Sequence, residues 1–408
     1  MHVCLLFSKM GIPLKVALGN IIIIVNVFVW YTYASAVLRD IVYKTMLPYG
    51  EELIFYIIML LGTVVSILAG TSFANKFNSR KHFLLVWTLI GILSSFALVM
   101  LETAIIVNVL IITLLISISF GLGLSTSMAC FADITKEENR ARFGSIVILS
   151  MFLGTFIFGF IMPADLFLKS LVMAVWRCLG LIGISLSENL DTYGQKKNPP
   201  IVSLFNDRSV LLYLIPWTMF SLVNYLSWPI SGKIHGEDFV YFSSLIESII
   251  AGVFALVAGF VADNIGRKRT LVSGFIIFGI GYAVLGIYPS NIYAWYFYTL
   301  VDGIAWGIIY VIFWFTIWGD LAHEKSSEKY YALGILPYSL SGFLRVTVGS
   351  FITNAVSEYA IFSFAAFFLF LAIIPLMYAP ETLPEKKIRE RELKGYIEKA
   401  KKLKEKRG

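Results

Sequence analysis

Long runs of apolar residues alternate along the chain with short stretches that carry its charges and turn formers. Three of the runs, Val16 to Leu38, Thr103 to Ala132 and Ser209 to Gly232, hold no charged residue. Each exceeds the roughly 18 residues at which an apolar stretch becomes a candidate to cross a bilayer. In hydrocarbon every backbone N–H and C=O must be paired within its own helix or within a closed barrel, and runs of this length suit helices rather than barrel strands of about ten residues. Reading the runs against turn and charge breaks predicts spans at 14–38, 53–75, 83–101, 104–130, 143–163, 167–187, 209–231, 239–262, 270–288, 292–319, 332–356 and 359–379. The pattern therefore predicts an all-α membrane protein with twelve transmembrane helices. Residues 270–301 carry no charge, so the break between the ninth and tenth spans rests on the turn chemistry of Tyr288-Pro289-Ser290-Asn291.

Composition agrees with the pattern. The 408 residues are 58% hydrophobic and 14% charged, with a mean hydropathy of +0.80, more apolar surface than one soluble core of this length needs. The net charge of +7 gathers after the last span rather than on a folded basic face, which argues against a nucleic-acid partner. Cys4, Cys130 and Cys178 show no CxxC spacing, so neither a disulfide framework nor a metal site is implied, and nothing calls for a cofactor. The opening MHVCLLFSKM lacks a cleavable-signal pattern, and the first span is expected to stay as an anchor.

With both termini cytoplasmic, the inside receives Lys9, Lys15, Lys76, Arg80, Lys81, Lys136, Arg140, Arg142, Lys196, Lys197, Arg208, Arg267, Lys268, Arg269, Lys325, Lys329 and eleven cations of the tail. The outer loops keep only Arg39, Lys44, Lys169 and Lys233. That asymmetry is the one the positive-inside rule expects of a multi-pass protein in the cell membrane.

The chain also repeats itself. The basic turn FNSRKHF after span 2 and NIGRKRT after span 8 place Arg80 and Arg267 at an interval of 187 residues. The loops CFADITKEENRARFG and IWGDLAHEKSSEKYYALG place Asp133 and Asp320 at the same interval, and Trp30 and Trp217 share it. A constant register over loops and spans predicts two six-helix bundles of one orientation. The expected organisation is a first bundle over 1–187, a cytoplasmic linker over 188–208, a second bundle over 209–380 and a cytoplasmic tail over 381–408.

The sharpest local motif is Gly259-Phe-Val-Ala-Asp263-Asn-Ile-Gly266-Arg267-Lys268. It resembles the G-x3-D-x2-G-R-[RK] loop signature of the major facilitator superfamily, at the place where that family has it. In the first-half counterpart Gly70 is kept, Ala74 replaces the acid, and Arg80-Lys81 arrive one or two residues late. The Asp133 to Arg142 loop is similar to the family's acidic-then-basic loop between spans 4 and 5, and Ala379-Pro-Glu-Thr-Leu-Pro to the PET ending of sugar-porter-like members. The resemblance spans the chain in topology and about thirty residues in motif. It implies that Asp263, Gly266 and Arg267, with Gly259, Lys268, Arg80, Asp133, Arg140 and Asp320, close the cytoplasmic side in the outward-facing state. Physically, Asp263 near a helix end can pair with Arg267 or cap a neighbouring helix, although a basic inside loop also serves as a plain topology determinant.

Four charged residues stand in the interior of the predicted spans: Arg177, Glu247, Asp302 and Arg345. Each costs about 2.5–3.5 kcal/mol on insertion scales if near the bilayer centre, so each needs a partner or a water-filled cavity. A cluster of Glu247, Asp302 and Arg345 in the second half is geometrically possible. If Arg345 pairs with one carboxylate, the other is left desolvated and able to take up and release a proton. Asp302 is the preferred acid, partly because spans 1, 4, 7 and 10 line the central cavity in the family that the chain resembles. A bridge that only fixes helix packing is the competing reading, and for Arg177 snorkelling or packing is expected.

On span 1, Asn26, Trp30 and Tyr33 recur on one helix face. Span 7 presents Tyr213, Trp217, Phe220, Asn224 and Trp228 in a similar line, and span 10 presents Asp302, Trp306 and Phe313. Three such faces would form a pocket for a small organic solute, with Asn26, Trp30, Tyr33, Trp217, Asn224, Asp302 and Trp306 as binding residues. Ordinary packing explains any single aromatic equally well, and Tyr31 and Trp228 read as membrane-interface anchors.

Residues 385–407 alternate acids and bases at a net charge of +6, with Leu393, Ile397, Ala400 and Leu403 at helical spacing. Either a helix lying on anionic lipid or a solvated, partly frayed helix fits.

The resemblance implies alternating access by a monomeric secondary transporter, with proton symport as the first expectation and multidrug-type antiport or uncoupled facilitation as alternatives. The competing classes are a membrane-embedded enzyme and a transport-dead sensor or scaffold. Against an enzyme stand the absence of HExxH and GxSxG motifs and of any histidine at mid-span.

Overall fold

The computed structural model describes residues 7, 10–74, 76–77, 79–103, 105–187, 199–323 and 325–383. The predicted tail helix and residues 188–198 of the predicted linker lie outside the described residues. Among the described residues there is no β-strand. The long helices are α1 (Leu14–Thr45), α2 (Tyr49–Ala74), α3 (Arg80–Thr103), α4 (Ile106–Ile134), α5 (Glu137–Ile161), α6 (Leu166–Leu186), α7 (Arg208–His235), α8 (Glu237–Ile265), α9 (Arg267–Ile287), α10 (Ile292–Ala322), α11 (Glu328–Thr347) and α12 (Glu358–Tyr378). All but α11 are long and apolar enough to cross a membrane. α11 bears Arg345, contains Pro337 and breaks at Val348 before a short helix, Gly349–Ala355. The two pieces together cover the span predicted at 332–356.

Short polar side chains set where the helices begin. Asp165, Asp207, Asn291 and Ser357 each accept a hydrogen bond from a backbone N–H in the first turn of the helix that follows. The turn between spans 9 and 10 is real: α9 ends at Ile287, the Asn291 side chain caps α10, and the Trp295 indole donates to the Pro289 carbonyl at 2.7 Å. Between α8 and α9, Gly266 holds φ at 116°, a backbone state that only glycine adopts without strain.

Large apolar side chains cover the outside of the protein, among them Phe160 at 76%, Leu93 at 67% and Phe367 at 63% exposure. Water would not tolerate a continuous band of this kind, and lipid does. Inside, α1 packs on α5 and α6, α2 on α4, and α3 on α6. In the second half α7 packs on α11, α8 on α10, and α9 on α10 and α12, while α5 runs along α8 and α2 along α11 across the halves. Gly303 and Gly307 let α10 lie on the α8 backbone; a Cβ at either would run into the carbonyl of Glu247 or of Ala251. That close approach sets Asp302 beside Glu247.

The helices nearest the centre are irregular. α4 is interrupted at Leu122–Gly123, α7 contains Pro216 and a turn over Asn224–Leu226, and α10 opens into a π-helix over Tyr310–Thr316. Proline removes a backbone donor and clashes with the preceding turn, and π segments concentrate at functional sites.

The 187-residue interval behaves differently in loops and spans. Arg80 donates to Asp133 at 2.7 Å just as Arg267 donates to Asp320 at 3.1 Å. Trp30 and Trp217 are not equivalent: the first donates to Ser95 on α3, the second to the Gly334 carbonyl on α11. α1 is continuous over 32 residues, whereas α7 is broken, so equal spacing does not present equal faces.

Candidate functional site

The loops after α2, α4, α8 and α10 meet at one end of the protein in a buried charge network. Asp263, at the end of α8, accepts the backbone N–H groups of Ala141 at 3.3 Å and Arg142 at 2.9 Å and pairs with Arg267 at 3.0 Å. It therefore does both things expected of it, pairing with Arg267 and capping the first turn of α5 in the other half. Asp320 accepts from Arg267 at 3.1 Å and from Thr382 at 2.9 Å, and it forms an ion pair with Arg140. The guanidinium of Arg267 also reaches the carbonyls of Ala262 and Glu137. Arg80 pairs with Asp133 at 2.7 Å and with Glu328 at 3.1 Å, again joining the two halves. Glu381, in the PET ending, accepts the backbone N–H groups of Arg267 and Lys268, and the Lys268 ammonium caps carbonyls of Met377 and Ala379. Gly259 lies against Ala141 and Ser145 of α5. All the predicted gating residues thus fall in this one region. Glu328 was not foreseen, because nothing in its spacing distinguishes it from a solvated loop acid.

The interior charges divide into two places. Glu247 and Asp302 line one cavity between α7, α8 and α10, with about 30 Å³ of water-accessible space, together with Ser227, Trp228, Ser231, Ser243, Ser244, Tyr298 and Thr299. Asp302 is 3% exposed, and its Oδ1 has no hydrogen-bond partner. The proposed ion pair with Arg345 is not formed: among the described residues neither carboxylate is in salt-bridge contact with a basic side chain. Arg345 instead lies over the Trp228 ring, 3.5 Å from its centroid, where the negative face of the indole takes the cation. Trp228 is accordingly a cavity wall rather than an interface anchor. Arg177 does not snorkel either. It is 1% exposed, donates to Asn26 Oδ1 at 2.8 Å and stands over the rings of Trp30 and Trp87.

The predicted face of span 1 points the wrong way for a shared pocket. Asn26 is bound to Trp176 and Arg177 of α6, Trp30 to Ser95 of α3, and Tyr33 donates to Thr155 of α5 at 2.8 Å. The face turned toward the other half carries Phe28, stacked on Trp314 at 4.8 Å, and Tyr31, stacked on Phe120 at 3.8 Å. Tyr31 is therefore no interface anchor. In the second half, Trp217 donates to Gly334 at 2.6 Å and Asn224 accepts from Ser341 at 2.8 Å, so both tie α7 to α11. Trp306 stacks on Tyr310 at 4.5 Å, and Tyr338 sets its edge on Trp314 at 4.8 Å. What meets between the halves is an aromatic centre of Phe28, Tyr31, Trp306, Tyr310, Trp314 and Tyr338, in which the Trp314 indole N–H is buried without a partner.

A family model of the Major Facilitator Superfamily matches residues 201–406, half of the chain. The chain belongs to the Major Facilitator Superfamily. Solved structures of similar fold include the human organic anion transporter MFSD10 (TETRAN), 15% identical, with a TM-score of 0.64 over 89% of this chain and 100% of that one. They also include the proton:xylose symporter XylE bound to 6-bromo-6-deoxy-D-glucose, 13% identical, with a TM-score of 0.67 over 90% of this chain and 95% of that one. No curated protein matches. As a member of this superfamily the chain is a multi-pass membrane transporter of a solute and not an enzyme.

The facilitator fold makes the missed residues intelligible. Trp306, Tyr310 and Trp314 recur every four residues on α10, a spacing that one helix face can present, yet the π segment also lets Phe313 reach Trp217. Sequence periodicity reads a straight helix and cannot assign both rings.

Proposed function

We propose that this facilitator moves a small organic solute by alternating access between a bundle of residues 1–187 and a bundle of residues 209–380, coupled to protons through Glu247 and Asp302. It acts as a monomer in the cell membrane with both termini cytoplasmic. The observation that carries the reading is the Arg140–Asp320–Arg267–Asp263 chain of contacts, a buried ion-pair network that joins the two halves at the basic-loop end. A latch at one end of two bundles is what a rocking mechanism requires, since breaking it frees that end to open.

Cargo recognition falls to the aromatic centre, where ring faces offer stacking and the phenols of Tyr310 and Tyr338 with the Trp314 N–H offer hydrogen bonds. The proton reading is supported by two carboxylates sharing one buried cavity. Like charges there repel, and a proton held by the pair relieves the repulsion. Coupling of this kind is named for the similarly folded proton:xylose symporter.

The test is uptake into proteoliposomes of solutes first found by thermal shift across sugars, carboxylates, amino acids and organic cations at two pH values. Accumulation driven by an imposed pH gradient is expected. Flux without pH-driven accumulation would leave an uncoupled facilitator, and binding with no flux for any solute would overturn the transport reading.

A further inference from the structure

We propose that the cavity between α7, α8 and α10 binds a small monovalent cation, sodium, through Asp302 and Glu247. The inference rests on the reading of this pair as the coupling centre and extends it to the ion that the centre accepts besides a proton.

The first observation is Asp302, which is 3% exposed, lines the cavity and leaves Oδ1 without a hydrogen-bond partner. A buried carboxylate oxygen with nothing bound to it is costly, and a cation in the cavity removes that cost. The second is the chemistry of the wall. Ser244 and Thr299 donate their hydroxyl protons to the carbonyls of Tyr241 at 2.8 Å and Trp295 at 2.9 Å, so their oxygens are left as acceptors. The Tyr298 hydroxyl donates its proton to Ser227 Oγ at 3.0 Å and keeps its own oxygen as an acceptor. Between the rings of Trp228, Phe239 and Trp295 the wall presents two carboxylates and a set of hydroxyl oxygens, donors that suit a hard cation and repel an anion.

Size and charge narrow the class. About 30 Å³ of water-accessible space holds a small ion and excludes an organic solute. Among the described residues Arg345 from α11 is the cation that acts on Glu247, and the titratable neighbours are the phenols of Tyr282 on α9, Tyr298 and Tyr310 on α10 and Tyr338 on α11, with His235 of α7 packed on Phe239 and Trp295 of the wall. Two carboxylates against one guanidinium leave a single negative charge, which one monovalent ion neutralises and a divalent ion oversteps. The lining runs from Phe239 and Trp295, near the starts of α8 and α10, inward to the carboxylates, about 10–12 Å along each helix.

The experiment uses the full-length protein in detergent, titrated with sodium chloride against choline chloride at constant ionic strength. Thermal stability and tryptophan fluorescence are read together, because Trp228 and Trp295 wall the cavity. Sodium is expected to give a saturable rise in melting temperature and a fluorescence change that choline does not, both weakened at least tenfold in apparent affinity at low pH and in Asp302→Asn. Thr299→Val, which removes one oxygen and keeps the shape, is expected to weaken sodium severalfold and serves if Asp302→Asn does not fold. Equal responses to sodium and choline, or a sodium response intact in either variant, would overturn the proposal. A protein blind to sodium whose Asp302→Asn variant still loses pH-driven accumulation would reject the sodium site and leave the proton-coupling reading standing. Normal pH-driven accumulation by that variant would remove both.

Discussion

The two halves of this facilitator are written on the same 187-residue interval, yet they carry different chemistry. At the loop end both keep an arginine–aspartate pair, Arg80 with Asp133 and Arg267 with Asp320. Around the second pair the network is denser: Arg267 is fully buried and also reaches Asp263 and two backbone carbonyls, while Asp320 also takes Arg140 and Thr382. Around the first, Ala74 stands where the motif has an acid, and Glu328 of the other half supplies the second carboxylate. Inside the membrane the contrast is sharper. One interval back from Glu247, Asp302 and Arg345 stand Leu60, Leu115 and Phe158. A repeat preserves the frame of a bundle without its interior charges: the first half buries one, Arg177, on Asn26 and the rings of Trp30 and Trp87, whereas both interior acids stand in the second, each at a cost in insertion energy.

The largest expected effect is at Asp302. Asp302→Asn should abolish pH-driven accumulation in proteoliposomes while sparing counterflow exchange, and normal accumulation would end the assignment of coupling to the second half. Next comes the second-half latch. Arg267→Ala leaves Asp263 and Asp320 short of a buried partner, a loss of about 3–5 kcal/mol that shifts the open-to-closed ratio by two decades or more. Alkylation of the native Cys130, 3% exposed, reads that opening in a background lacking Cys4 and Cys178. Arg80→Ala is expected to raise Cys130 labelling less, at about 1.5–3 kcal/mol for its charged hydrogen bonds; labelling above that of Arg267→Ala would invert the ranking of the halves. Smallest is Thr382→Val, which removes one hydrogen bond to Asp320 and should cost about 1 kcal/mol, seen as a few-fold rise in the same labelling.

The comparison also shows why some residues were legible from the sequence and others were not. Span count, the Pro289–Asn291 turn and the positions of Asp263, Arg267, Asp133 and Asp320 follow from hydropathy, capping and spacing. These are local or periodic properties, and lipid admits few alternatives to a paired backbone helix. The interior acids were equally visible, because a charge in an apolar run stands out. The role of Arg345 was not: a cation of that reach has several partners available, and packing chose the Trp228 ring over a carboxylate.

What the sequence alone determined is an all-helical membrane protein of repeated halves with charged loops at one end and two acids inside the second half. Only the tertiary structure decided which face of each helix turns inward. Asn26, Trp30 and Tyr33 went to α3, α5 and α6, and Phe28 and Tyr31 went to the centre, because a helix in lipid gains nothing from hydropathy by rotating. Its rotation is set by close packing and by the few hydrogen bonds between neighbours, which are properties of pairs of helices and not of any one stretch of sequence.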